Sequence, residues 1–274
     1  MKAIPRFSGA RFTAIARAEF LKIWASNIPL VMLFALPIGS YLFVLELYHV
    51  ERMSDHLHIG NALDVLPLLF FVTWKTLLFQ AAMLTFTAFW ATVDSQYGMV
   101  RVACSQPVSR VEYFLGRWCG IMAHVVIFTI VLVASDLAWT AIYSGIHGIR
   151  AHDLASVARF AVELLTFVVA ITSIAMATAS FRRTVGAGIV TALMGFILLA
   201  VMTMVPFDVI SPRLILMRYF SFPLGELRNP FTAGGDSPFL RVHSVAEFYQ
   251  VALVTPLLFV LPAIVYFRNR DIVE

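Results

Sequence analysis

Long apolar runs separated by short polar breaks make up most of the chain. The runs fall at 28–48, 65–93, 118–143, 160–181, 184–207 and 248–267. Roughly 20 apolar residues, at 1.5 Å of rise each, carry a helix across the hydrocarbon of a bilayer, so the pattern predicts six transmembrane helices. Alternating segments of about ten residues, the mark of a membrane β-barrel, do not occur. A cleaved secretory signal is not expected either, because the first run starts after 27 residues and has no small-residue cleavage pattern.

Between the runs, three segments carry information. Ahead of the first run, ARFTAIARAEFLKIWAS puts Phe12, Ile15, Ala16, Phe20, Ile23 and Trp24 on about half of a helical wheel, with Arg11, Arg17 and Lys22 on the rest. This reads as an amphipathic helix lying along the membrane surface within 1–27. Glu19 breaks the pattern: it projects among the apolar residues, so it must face protein or find a basic partner. The second segment, 94–117, offers Asp94 and Ser95 as helix caps. Tyr97, Val100, Ala103 and Cys104 follow at helical spacing, Pro107 marks a helix restart, and Val108 runs on into the third apolar run. The third, 208–247, contains an apolar, aromatic stretch interrupted by Pro212, Pro223 and Pro230, which predicts an outer re-entrant or interfacial element.

Charge fixes the orientation. Twelve Lys and Arg residues flank the runs on the side of the termini, seven lie on the other side, and Lys75 falls inside the second run. The positive-inside bias places both termini in the cytoplasm. Apolar residues account for 60% of 274 residues and charged ones for 13%, far from the roughly 25% charged residues of a soluble domain. The whole chain, 1–274, reads as one all-α membrane domain. Its net charge of +4 suits anionic lipid headgroups rather than nucleic acid. Cys104 and Cys119 lie on the reducing side and predict no disulfide.

Candidate chemistry is sparse. No glycine-rich loop ending in Gly-Lys is present, so any ATP that drives the protein is bound elsewhere. No nucleophile elbow occurs. Lys75, Asp136 and Glu163 fall inside the apolar runs, where ionisable residues are candidates for function; an ion pair of Lys75 with Asp136 or Glu163 that holds the bundle together is the simpler reading. His124 reads as a packed polar residue. His49, His56 and His58, with Glu46, Glu51 and Asp55 nearby, make a weak metal pattern without helical i, i+4 spacing. Ala170, Ser173, Ala177 and Ser180 form a small-residue stripe suited to close internal helix packing.

Taken in order, Ala18-Glu19-Phe20-Leu21-Lys22, Asp94, Tyr97-Gly98-Met99-Val100-Arg101, Gln106-Pro107-Val108-Ser109-Arg110, Gly116-Arg117 and Tyr266-Phe267-Arg268-Asn269-Arg270-Asp271 resemble the pattern of permease subunits of bacterial type-2 ABC exporters along essentially the whole chain. Two departures stand out: Asp94 replaces the Glu, and Met99 the Thr, common in that family. The resemblance implies an elbow helix with Glu19 and Lys22, and a cytoplasmic coupling helix between spans two and three whose ATPase-coupling residues are Asp94, Tyr97, Gly98, Arg101, Pro107 and Arg110. It implies a separate P-loop ATP-binding subunit carrying ATP and magnesium, a second permease copy, and a place in the bacterial inner membrane. This chain would bear no catalytic, cofactor or metal site. The elbow is most similar to that of permeases exporting peptide antibiotics; drug and lipid exporters share the architecture. The residues alone also admit an ion-coupled transporter or an intramembrane enzyme that uses Lys75, Asp136 and Glu163.

Overall fold

The computed structural model describes residues 7–53, 77–100, 103, 108–144, 151–202 and 245–269. The described residues form an all-α structure without strands, as the lengths of the apolar runs predict. Their seven helices are α1 (Gly9–Trp24), α2 (Asn27–Met53), α3 (Leu77–Gln96), α4 (Arg110–Ser144), α5 (Ala151–Ser180), α6 (Val185–Met202) and α7 (Val245–Asn269). The segment 208–247 expected to form the outer element lies outside the described residues but for its last three.

α1 and α2 meet at a bend of 68°. Ala25 N–H bonds the Leu21 carbonyl at 2.8 Å and Ser26 N–H bonds the Ile23 carbonyl at 3.1 Å. These bonds satisfy two of the last carbonyls of α1 within the turn. The elbow expected from sequence is thus a separate helix. It lies against α4, with Ile23 and Glu19 buried and Lys22, Arg17 and Trp24 facing out.

α4 begins with a reciprocal cap. Glu112 N–H bonds Ser109 Oγ at 3.1 Å, and Ser109 N–H bonds Glu112 Oε2 at 2.8 Å, satisfying two donors that a helix start otherwise leaves orphaned. The helix therefore starts at Arg110, eight residues before the expected third span, and Arg117, counted from sequence as a loop charge, lies inside it, 4% exposed.

α4 packs against α1, α2, α5 and α7, and α5 also touches α3, α6 and α7. α5 is buried nearly all round from Ala170 to Ala177. The small-residue stripe lies wholly inside the bundle: Ala170, Ser173, Ala177 and Ser180 are all buried, and Trp118 Nε1 donates to Ser173 Oγ at 3.1 Å. On α7 the buried positions Pro256, Val260, Ala263 and Phe267 recur at intervals of four, three and four, a single stripe against the core.

Of the six spans expected, one helix among the described residues, Arg110–Trp139, is long and apolar enough to cross a membrane, and the bent pair of α1 and α2 would supply a second. Leu164–Ser180, Val185–Gly195 and Pro256–Asn269 are apolar but shorter.

Candidate functional site

The end of the bundle that holds α1 gathers the charged residues. Lys22, one turn beyond Glu19 on α1, bonds Glu19 Oε2 at 2.7 Å and both oxygens of Asp94, at the end of α3, at 3.0 and 3.1 Å. From α4, Arg117 reaches the same two acids: its Nη2 lies 3.3 Å from Asp94 Oδ2 and its Nε 3.5 Å from Glu19 Oε1. The second distance is that of an ion pair rather than a good hydrogen bond. Arg117 also donates to the backbone carbonyls of Trp90 and, at 3.4 Å, Ala91. Tyr113 adds a hydrogen bond from its hydroxyl to Asp94 at 3.0 Å. Two acids and two bases from three helices thus form one closed network.

The network is shielded. The side chains of Arg117, Glu19 and Asp94 are 5%, 7% and 13% exposed, and only Lys22 reaches solvent, at 39%. Shielding strengthens each attraction and makes loss of any partner costly. Burial alone would push the Asp94 carboxyl up; the charges of Arg117 and Lys22 and the hydrogen bonds from Lys22 and Tyr113 outweigh it and hold the group below the ordinary aspartate value.

Close backbone approach sets the network in place. A Cβ on Gly116 would lie 2.6 Å from Ile15 Cγ2, and one on Gly120 would lie 2.8 Å from Glu19 Cβ and 3.0 Å from the Ala16 carbonyl oxygen. The two glycines, four residues apart on α4, are a groove into which α1 is pressed. Above them His124, fully buried, packs its ring on Phe20 with centroids 4.4 Å apart and planes tilted by 32°, and sits near Trp24, Phe86 and Phe128. Glu112 anchors the start of α1 through Ser8 N–H and lies 3.8 Å from Arg11.

Immediately past Asp94 the chain turns. Gly98 has φ of +71°, the left-handed conformation that ends helices and that glycine adopts without a Cβ penalty. Tyr97 is 72% exposed, and Met99, Val100 and Ala103 are helical again. Arg110 Nη1 donates to the Arg268 carbonyl at 2.8 Å, and Gln96 Oε1 accepts from Val185 N–H at 2.8 Å, capping α6. The 94–110 loop is therefore tied to the end of α7 and the start of α6 as well as to α1.

The structure joins Glu19, Lys22 and Asp94 from the expected set; Tyr97 and Gly98 follow Asp94 in the turn after α3, and Arg110 bonds the end of α7. Arg101, Pro107, Lys75, His56 and His58 lie outside the described residues, as do the side chains of Glu163 and His49. Asp136 is placed apart, at the α2–α4 contact, where Ser40 Oγ donates to it. Among the described residues no group of three His, Cys, Asp or Glu could hold a metal. Sequence reading quoted Gly116-Arg117 in its motif set without giving either residue a role in the site, and it missed Tyr113 and Gly120; Arg117 is the hub of the network and the two glycines are its groove. The signal available was Gly-Arg-Trp-Cys-Gly itself: small residues at i and i+4 around an arginine, inside an apolar helix. No protein-family model matches the chain, and neither does any curated protein.

Proposed function

We propose that the chain is the permease subunit of an ATP-driven type-2 ABC exporter: six membrane spans with both termini in the cytoplasm, paired with a second permease copy and coupled to a separate P-loop subunit that binds and hydrolyses ATP with magnesium. The family comes from the ordered sequence motifs. The observation that carries the reading is the lock of Glu19, Asp94 and Arg117, shielded from solvent and closed by the more exposed Lys22, which joins the elbow helix to both helices that flank the 94–110 loop.

A loop that receives force from a partner must be stiffly attached to what it moves. Here a displacement of the loop passes through Asp94 and Arg117 into α3 and α4 together, and through Glu19 and Lys22 into α1. Tyr97, exposed just past the end of α3, and Arg101 are the residues offered to the ATPase cleft. Substrate is a peptide antibiotic, a drug or a lipid, and no nucleic acid is involved.

The test is co-purification in detergent with the product of a neighbouring P-loop ATPase gene, for wild type and for a variant lacking 98–105. Wild type retains the ATPase and the deletion loses it. An ATPase that stays bound to the deletion variant, or none bound to wild type, removes the coupling assignment. Arg101→Glu abolishes ATP-coupled export while the protein still inserts; normal export by that variant counts equally against it.

A further inference from the structure

The other end of the α2–α4 contact holds a group that the exporter reading does not use. Asp136 is 0% exposed, and Ser40, 1% exposed, donates its hydroxyl to one carboxyl oxygen. The second oxygen, Oδ2, is buried and has no hydrogen-bond partner. One turn away along each helix, Leu132 and Val44 are 2% and 0% exposed. Trp139 closes the site by donating its indole N–H to the Pro37 carbonyl at 3.0 Å, and its ring lies 4.9 Å from that of Tyr41.

An ionised carboxylate cannot rest in such surroundings without a cation, because desolvation costs several kcal/mol that one hydroxyl does not return. Among the described residues none supplies a positive charge. Arg117, the network base that α4 carries, is 19 residues, about 28 Å, along the helix from Asp136. From α2 the facing polar groups are Ser40 and Tyr41. The charged residues Lys75, and Arg159 and Glu163 on α5, have side chains outside the described residues.

We propose that Asp136 is a proton-binding site: with α2 and α4 closed on each other, the carboxyl holds a proton and stands as the neutral acid, oriented by Ser40. The proton is a ligand of the closed pair. Parting of α2 from α4 admits water, the carboxyl ionises and the proton leaves to solvent. The proposal is independent of the exporter assignment.

Infrared spectra of the full-length protein in detergent, isotope-labelled at the aspartate carboxyl, test it. At about pH 7 ordinary aspartates, with pKa about 3.9, are ionised. Wild type shows a protonated-carboxyl stretch that Asp136→Asn removes and that Ser40→Ala shifts in frequency, one hydrogen bond having gone. If Asp136→Asn does not accumulate, Ser40→Ala decides alone: a shifted band supports the site and an unmoved band overturns it. A wild type without the band overturns the proposal outright. A band then gained on Lys75→Met identifies an ion pair in its place.

Discussion

Arg117 does what no other residue in the network does: it pairs with both acids and hydrogen-bonds two carbonyls of α3. Its removal leaves Glu19 and Asp94 as buried charges short of a partner, and breaking a buried pair costs about 3–5 kcal/mol. Arg117→Gln should lower the thermal midpoint in detergent sharply. Arg117→Lys should recover only part of the loss, since a single ammonium cannot match the forked guanidinium. Combining Arg117→Gln with Glu19→Gln should cost less than the sum of the two, because the second change removes the orphan that the first creates. Asp94 gives a pH signature. Its folded-state value lies below the ordinary one, so its stabilisation is complete above the unfolded value of about 3.9 and is lost as pH falls through the lower folded value. The gap in melting temperature between wild type and Asp94→Asn should be constant near neutrality and close below about pH 4. A gap that persists in strong acid would show that the Asp94 contacts do not hold the network.

At the scale of elements, the contact of α1 with α4 is a steric fit that a single methyl group disturbs. Gly120→Ala puts its Cβ within 2.8 Å of Glu19 Cβ and against the Ala16 carbonyl oxygen, backbone that cannot yield; an overpacking cost of about 1–3 kcal/mol is expected. Gly186 in α6 meets nothing within 4 Å, so Gly186→Ala should be neutral or gain up to about 1 kcal/mol from helix propensity. The two variants, melted side by side, separate steric fit from generic glycine effects. Much at this scale is legible in the sequence. Apolar run length gives helices, the wheel of 11–24 gives the elbow, and Glu19 on the apolar face demands a partner. Where α4 starts is also written locally, in Ser109 and Glu112, though the apolar run alone points to Trp118. What is not legible is which helices meet. Arg117 reads as a loop charge until α1 and α3 are seen beside it, because its acids are distant in sequence. Gly116 and Gly120 acquire meaning only with Ile15, Ala16 and Glu19 pressed on them.

Across the whole molecule, the contacts near the termini form one mechanical frame: Glu112 to Ser8, Arg110 to Arg268 and Gln96 to Val185. Each closes a long loop of chain onto the junction of α1, α3 and α4. The seat of the first helix, laid lengthwise on α4, bears on biosynthesis. Ser8 and Glu112 are 104 residues apart, and a ribosome adding about 5–20 residues per second needs roughly 5 to 20 s to cover that distance. For that interval Glu19 and Lys22 have neither Asp94 nor Arg117 to meet, and the nascent elbow waits without its seat. A chain shortened ahead of Arg110 should therefore leave residues 9–24 open to protease, and one extended past Gly120 should protect them.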